Sequence, residues 1–319
     1  MAIFINRKVT ANAYGLSSGV FWGLSGVLFA LLLKNTALSC CFFIPIILAF
    51  LNDTISCGYM FIYLVVKGKY RAIRLIPKNK KNGIIVLAAI FGGPMGMSCY
   101  ILAIQYIGIS YTATISATYP AIGALISFFL LKDRIHLIGI LGLILAVVCT
   151  MILGYSASTQ TTSGWIGFFF AFICALGWSS EVVISSYGMN KDIPADIAYF
   201  IRQLSSSVGY LIMIILFIHS FPGVTHIFSN IELYSLLFFT SLVATLSYLF
   251  YYKAICMLQP IRAMSLNITY AIWAVIFAYL LVDEPISIKL ILLCVGVSAG
   301  SLLTAVNPLN IKKLILTLK

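Results

Sequence analysis

Apolar residues in this chain run in long blocks, separated by short clusters of Lys, Arg, Pro, Gly and Asn. A helix that crosses a bilayer needs roughly 20 predominantly apolar residues, and most of the blocks reach that length. The interruptions predict spans near 14–34, 38–66, 83–106, 111–131, 136–155, 164–188, 196–219, 233–252, 260–282 and 286–306. The expected fold class is all-α integral membrane with ten transmembrane helices. The second block is long for one crossing; Pro45 or a tilt would absorb the excess, and a split there is the rival count. The first block has no small-residue cleavage site and leads at once into another span, which predicts a retained helix rather than a signal peptide.

Composition agrees: 62% of the 319 residues are hydrophobic and 9% are charged, too few charged groups to clothe a water-facing surface. The net charge of +12 would suit nucleic acid or the inner loops of a membrane protein, and its placement decides between them. With the N-terminus inside, seventeen of the twenty Lys and Arg fall in inner segments, seven of them between positions 67 and 81. That asymmetry predicts a multi-pass membrane protein with both termini cytoplasmic, and no nucleic-acid partner. The eight cysteines lie in apolar segments without CxxC spacing and read as packing residues. His136, His219 and His226 sit at predicted helix ends, and no HExxH or Ser/His/Asp set can be placed at depth, so an enzyme is not expected.

The chain also repeats itself. Tyr119-Pro-Ala-Ile answers Tyr270-Ala-Ile-Trp, Leu-Leu-Lys-Asp-Arg-Ile at 130–135 answers Leu-Leu-Val-Asp-Glu-Pro at 280–285, and Phe-Trp-Gly at 21–23 answers Gly-Trp-Ser at 177–179. Five spans per half is an odd number, so the second half must enter the bilayer from the opposite side. The expected units are residues 1–155 and 156–319, two inverted five-helix repeats.

Several strings carry a family resemblance: Leu-Ser-Ser-Gly-Val-Phe-Trp-Gly-Leu-Ser-Gly (16–26), Gly-Gly-Pro-Met-Gly-Met (92–97), Ser-Ala-Thr-Tyr-Pro-Ala (116–121), Gly-Trp-Ser-Ser-Glu (177–181), Ile-Arg-Gln (201–203), Ser-Tyr-Leu-Phe-Tyr-Tyr (247–252) and Asn-Ile-Thr-Tyr-Ala-Ile-Trp (267–273). With the architecture, they resemble the drug/metabolite transporter superfamily in its EamA-like branch, and within it the LicB-type choline permeases of bacteria. The resemblance covers nearly the whole chain; the basic 67–81 loop and the C-terminal tail depart from it. It implies a transporter that imports choline or a related quaternary amine, with export or import of amino acids or other metabolites on the same fold as the alternative.

Charges at membrane depth are the informative exceptions. Asp53 falls near the middle of the second span and Glu181 in the sixth; each is either a counter-charge in a cavity or a hydrogen-bonded structural acid. Arg202 lies close enough to a predicted helix end to read as a snorkelling or gating charge. Trp22 and Trp178 are deep and related by the repeat, and Trp178 stands three residues before Glu181, on the same helical face. Tyr248, Tyr251 and Tyr252 form one aromatic stripe; Asn267, Tyr270 and Trp273 form another, with Tyr119 the counterpart of Tyr270. Any of these rings also suits plain packing.

A quaternary ammonium has no N–H, so a carboxylate cannot grip it by a hydrogen bond, whereas a desolvated ring face contributes about 2 kcal/mol. Trp22, Trp178, Tyr248 and Tyr251 are the expected cage, Glu181 the counter-charge, and Asn267 or Gln203 the group for a hydroxyl end. Tyr119, Tyr270, Trp273 and Asp53 complete the candidate set. No cofactor or metal is expected. Asp53 and Glu181 are the groups available to exchange a proton, although a membrane potential supplies about 2.3 kcal/mol per charge per 100 mV by itself. Gly92-Gly93-Pro94-Met95-Gly96 predicts a bend in the third span, and Gly296 with Gly300 a close helix contact through which a monomer would become a homodimer.

Overall fold

Among the described residues the apolar blocks fold as helices and turns, with no strand. The computed structural model describes residues 2–35, 43–76, 80–131, 137–160, 164–190, 193–219, 221, 223–258 and 260–305. Its helices are α1 (Ala2–Leu33), α2 (Ile44–Val66), α3 (Tyr70–Leu75), α4 (Gly83–Ile90), α5 (Ser98–Ser116), α6 (Tyr119–Leu131), α7 (Leu137–Gln160), α8 (Gly164–Met189), α9 (Ala195–Met213), α10 (Val224–Ser229), α11 (Ile231–Leu258), α12 (Pro260–Asn267), α13 (Tyr270–Val282) and α14 (Ile288–Ala305). Lys132, Arg134, Lys191, His136, Cys40, Cys41 and the tail after 305 lie outside the described residues.

Seven stretches are long and apolar enough to cross a bilayer: Val9–Leu33, Ile44–Val66, Lys80–Ser116, Gly164–Met189, Ala195–Ile218, Ile231–Leu258 and Pro260–Val282. Leu137–Leu153 and Ile288–Leu303 are shorter apolar helices. The exterior is greasy too, with Leu141, Met151, Ile215 and Leu292 all more than half exposed, an arrangement that suits lipid and not water. The chain is a multi-pass membrane protein.

Two boundaries differ from those expected of the sequence, each for a local reason. The second span begins at Ile44 rather than 38, and Pro45 occupies the first turn of α2, where its missing N–H leaves no intrahelical bond unmade. Pro45 therefore starts the helix and does not bend it. The third expected span and the start of the fourth, 111–116, run together over Lys80–Ser116, yet Gly108 breaks them with φ 76° and ψ 168°, a conformation closed to residues with a Cβ. The freed N–H groups of Ile109 and Ser110 donate to the Glu284 carboxylate at 3.0 and 3.2 Å, and the Ser110 hydroxyl donates to it at 2.7 Å. An acid at the start of a helix both satisfies orphan donors and meets the positive end of its dipole. The expected bend in the third span takes the form of a π-helix over Phe91–Met97, with Pro94 inside it.

Two interruptions matter for the site. Helical structure pauses at 117–118, before Tyr119 opens α6, and again at 268–269, before Tyr270 opens α13. The glycine ridge of α1 meets the second pause: a Cβ on Gly19 would lie 2.3 Å from Thr269 Oγ1, and one on Gly23 would lie 2.8 Å from Trp273 Cβ. Gly296 and Gly300 face Cys149 and Ala146 of α7 within the same chain, so this small-residue contact is used inside the fold and is not free for a second copy.

Candidate functional site

Three long helices and both interruptions converge on one cavity. Trp22 reaches it from α1, Tyr119 from the start of α6, Trp178, Glu181 and Val182 from α8, Ser247, Tyr248 and Tyr251 from α11, and Asn267 from the end of α12. Counting its mouth, the empty volume is about 330 Å³. The rings meet edge to face, with centroids 5.3 Å apart for Trp22 and Trp178, 5.1 Å for Trp22 and Tyr248, and 6.3 Å for Tyr119 and Trp178. Edge-to-face contact sets the positive rim of one ring against the negative face of the next, and the remaining faces are electron-rich surfaces suited to a cation.

The polar wall is a chain of short hydrogen bonds. The Tyr119 hydroxyl donates to Asn267 Oδ1 at 2.9 Å and lies 3.1 Å from the Tyr251 hydroxyl. Asn267 Nδ2 donates to Ser18 Oγ at 2.8 Å, and Ser247 Oγ donates to the Ser18 carbonyl at 2.8 Å. The α12 helix ends at Asn267, which lets this side chain face the cavity while the chain turns before α13.

Behind Glu181 lies a layer of buried charge. The Arg202 guanidinium is 1% exposed and stands 4.7 Å from the Tyr248 ring centre. Its Nε donates to Glu181 Oε1 at 3.0 Å, and its Nη1 donates to Asp53 Oδ2 at 2.8 Å and to Gln203 Oε1. Asp53 also accepts from Ser206 Oγ at 2.5 Å and from Asn52 Nδ2 at 3.1 Å, while Tyr252 donates to Glu181 Oε1 at 2.8 Å. Buried charges persist only when paired and hydrogen-bonded, and each of these three is.

The π-helix makes room for that layer. A Cβ on Gly92 would lie 1.6 Å from Glu181 Oε2, and one on Gly93 would lie 1.7 Å from Ser206 Oγ, so only bare backbone fits there. The Tyr210 hydroxyl donates to the Gly93 carbonyl at 2.7 Å, satisfying a backbone group beside Pro94. The buried Trp178 Nε1 has no hydrogen-bond partner among the described residues and would lie 3.0 Å from a Cβ on Gly96.

Seven of the ten residues expected from the sequence line the cavity: Trp22, Tyr119, Trp178, Glu181, Tyr248, Tyr251 and Asn267. Three do not. Tyr270 supports it from behind, 6.4 Å from Tyr119 and 6.3 Å from Trp178, with its hydroxyl on Ser116. Trp273 is half-buried and stacks on Phe277, because the pause at 268–269 breaks the helical register that would have carried it round with Asn267. Asp53 is buried against Arg202 and Ser206. Arg202 does not snorkel: it sits seven residues into α9, about 10 Å at 1.5 Å per residue, and both acids reach it there. Gln203 is taken by Arg202 and does not line the cavity. Sequence reasoning passed over Val182, Ser247 and Ser18; the last stands one helical turn before Trp22, a spacing that could have found it.

A helical membrane protein whose buried cavity joins aromatic faces to a carboxylate has the form of a small-molecule carrier. The EamA-like transporter family model matches residues 9–155 and 165–306, and the chain belongs to that family. It is 38% identical over 296 residues to Protein LicB of Haemophilus influenzae, covering 91% of this chain and 96% of that protein. It is 25% identical to an uncharacterized transporter of Clostridium kluyveri, covering 69% and 71% of the two chains. A solved crystal structure with 15% identity superposes with a TM-score of 0.64, covering 92% of this chain and 96% of the other, a likeness of fold.

Proposed function

We propose that the protein imports choline or a related quaternary amine across a bacterial plasma membrane by alternating access. The observation that carries this reading is the cavity wall: five aromatic rings and one ionisable side chain other than tyrosine, Glu181. A trimethylammonium group offers no hydrogen to a carboxylate but is attracted to ring faces, at about 2 kcal/mol each when desolvated. The hydroxyl and amide wall of Tyr119, Asn267 and Ser247 suits the alcohol end of choline. An anionic or zwitterionic metabolite would need a free cation in the wall, and Arg202 is engaged by two acids behind it. With all three ionised, the layer carries one net negative charge, which a monocation neutralises.

Two inverted five-helix halves, 1–155 and 156–319, would rock about this site. The reading is supported by the family match in two stretches, by the matching pauses before Tyr119 and Tyr270, and by contact between the repeat-related Trp22 and Trp178. Both termini would be cytoplasmic, and an inside-negative potential would drive a cation inward at about 2.3 kcal/mol per 100 mV.

The test is uptake into proteoliposomes under a potassium-diffusion potential. Radiolabelled choline should accumulate when the lumen is negative and stop when the potential is collapsed. Accumulation of an amino acid instead, with choline excluded, would overturn the proposal.

A further inference from the structure

The two buried acids differ in how fully they are used. Asp53 receives Arg202 and Ser206 on Oδ2 and Asn52 on Oδ1, so both its oxygens are occupied. Glu181 receives Arg202 and Tyr252 on Oε1, and among the described residues no donor reaches Oε2. Glu181 lines the cavity and Asp53 does not. Arg202 spends its Nη1 on Asp53 and Gln203, its Nε on Glu181, and sets its plane over Tyr248, within 3.4 Å of that hydroxyl.

From this asymmetry we propose that Asp53 and Arg202 form a counter-pair that fixes the charge class of the substrate without touching it. Arg202 pairs with both acids, Asp53 offsets its charge, and the net charge of −1 that remains is presented to the cavity by Glu181, the member of the three that lines it. The site then demands one positive charge and no more: a monocation fills it, a zwitterion brings a carboxylate that finds no free cation, and a dication overfills it. Arg202 is a positioning residue, since its bond to Oε1 fixes the Glu181 carboxylate and leaves Oε2, beside Gly92, without a donor among the described residues. This inference rests on the cation reading given above and goes beyond it by assigning selectivity to residues outside the cavity wall.

Charge arithmetic supplies the test. Purified protein in nanodiscs is titrated with choline and with glycine betaine, its zwitterionic counterpart, at fixed pH and ionic strength, and binding is read by tryptophan fluorescence. The wild type leaves a net charge of −1, Asp53→Asn leaves zero, and Asp53→Asn combined with Arg202→Gln returns it to −1. Asp53→Asn should weaken choline by about tenfold and narrow its preference over betaine, and the double variant should recover choline to within about threefold of wild type. A single variant that binds choline like wild type, or a double variant no better than the single one, would overturn the counter-pair. Should the single variant fail to fold by size exclusion and thermal melting, the double variant decides alone, with Glu181 keeping its Tyr252 hydrogen bond and its face on the cavity. Choline binding about tenfold or more below wild type in a folded double variant would then refute the proposal. Failure of the cation reading looks different: the wild type itself would not bind choline. The variants are then titrated with tetramethylammonium, and if the wild type binds no monocation the counter-pair falls with it.

Discussion

On one side of Glu181 lie five aromatic rings and a cavity; on the other lie Arg202, Asp53, Gln203 and Ser206, nearly sealed from solvent. The first region is held by edge-to-face contacts between centroids 5.1 to 6.3 Å apart, which are individually weak and loosely directional. The second is held by hydrogen bonds to ionised groups, which are short, directional and costly to leave unmade. The contrast teaches a division of labour: weak ring contacts leave a wall that a guest can enter, whereas the ion pairs fix the shape behind it; on the proposed reading the first sets how strongly a cation is held and the second the charge it must bring.

Breaking the ionic side should have the largest effect. Arg202→Met strands two buried carboxylates and should lower stability by about 3–5 kcal/mol, read as a fall in Tm in detergent. An unchanged Tm would mean that the ionic layer holds nothing together. Trp22→Leu or Trp178→Leu keeps apolar bulk but removes a π face; choline affinity should fall by about 2 kcal/mol, roughly 30-fold, with a smaller loss of Tm than Arg202→Met. If both variants bind choline as wild type does, the rings are packing and not cage. Gly92→Ala acts where the two regions meet: its methyl would fall 1.6 Å from Glu181 Oε2, and the overpacking should cost about 1–3 kcal/mol in stability, read as a lower Tm, together with choline affinity. Gly58→Ala, with nothing within 4 Å, is the control: choline affinity should stay unchanged and Tm should not fall, since Ala favours a helix interior over Gly by about 0.5–1 kcal/mol. The smallest effect belongs to Trp273→Phe, which keeps a ring against Phe277 outside the cavity; choline uptake should match wild type within about twofold. A larger loss would return Trp273 to the site.

Much of this was legible in the chain because a bilayer punishes exceptions. Trp22, Trp178 and Glu181 stand out as polar or amphipathic groups at membrane depth, and depth can be counted along a helix. The snorkelling reading of Arg202 failed for the complementary reason. Its partners lie 149 and 21 residues away, on α2 and α8, and no local spacing reveals that two acids meet one guanidinium. Trp273 failed through register: three residues past Tyr270 is one helical face only if the helix is unbroken back to Asn267, and Ile268 and Thr269 interrupt it. The Gly296 and Gly300 pair was legible as a contact but not as a contact with α7, because the motif specifies closeness and not its partner.

The rings of the cavity wall lean on one another. Trp22 touches Trp178, Tyr248 and Tyr100, so any guest first has to part rings that already satisfy one another, at about 0.5–1.5 kcal/mol for each ring pair it separates. What a cargo gains is the difference between two sets of π interactions, not their sum. On the proposed reading such a chamber would grip lightly and let go readily, the behaviour wanted of a ferry rather than a vault.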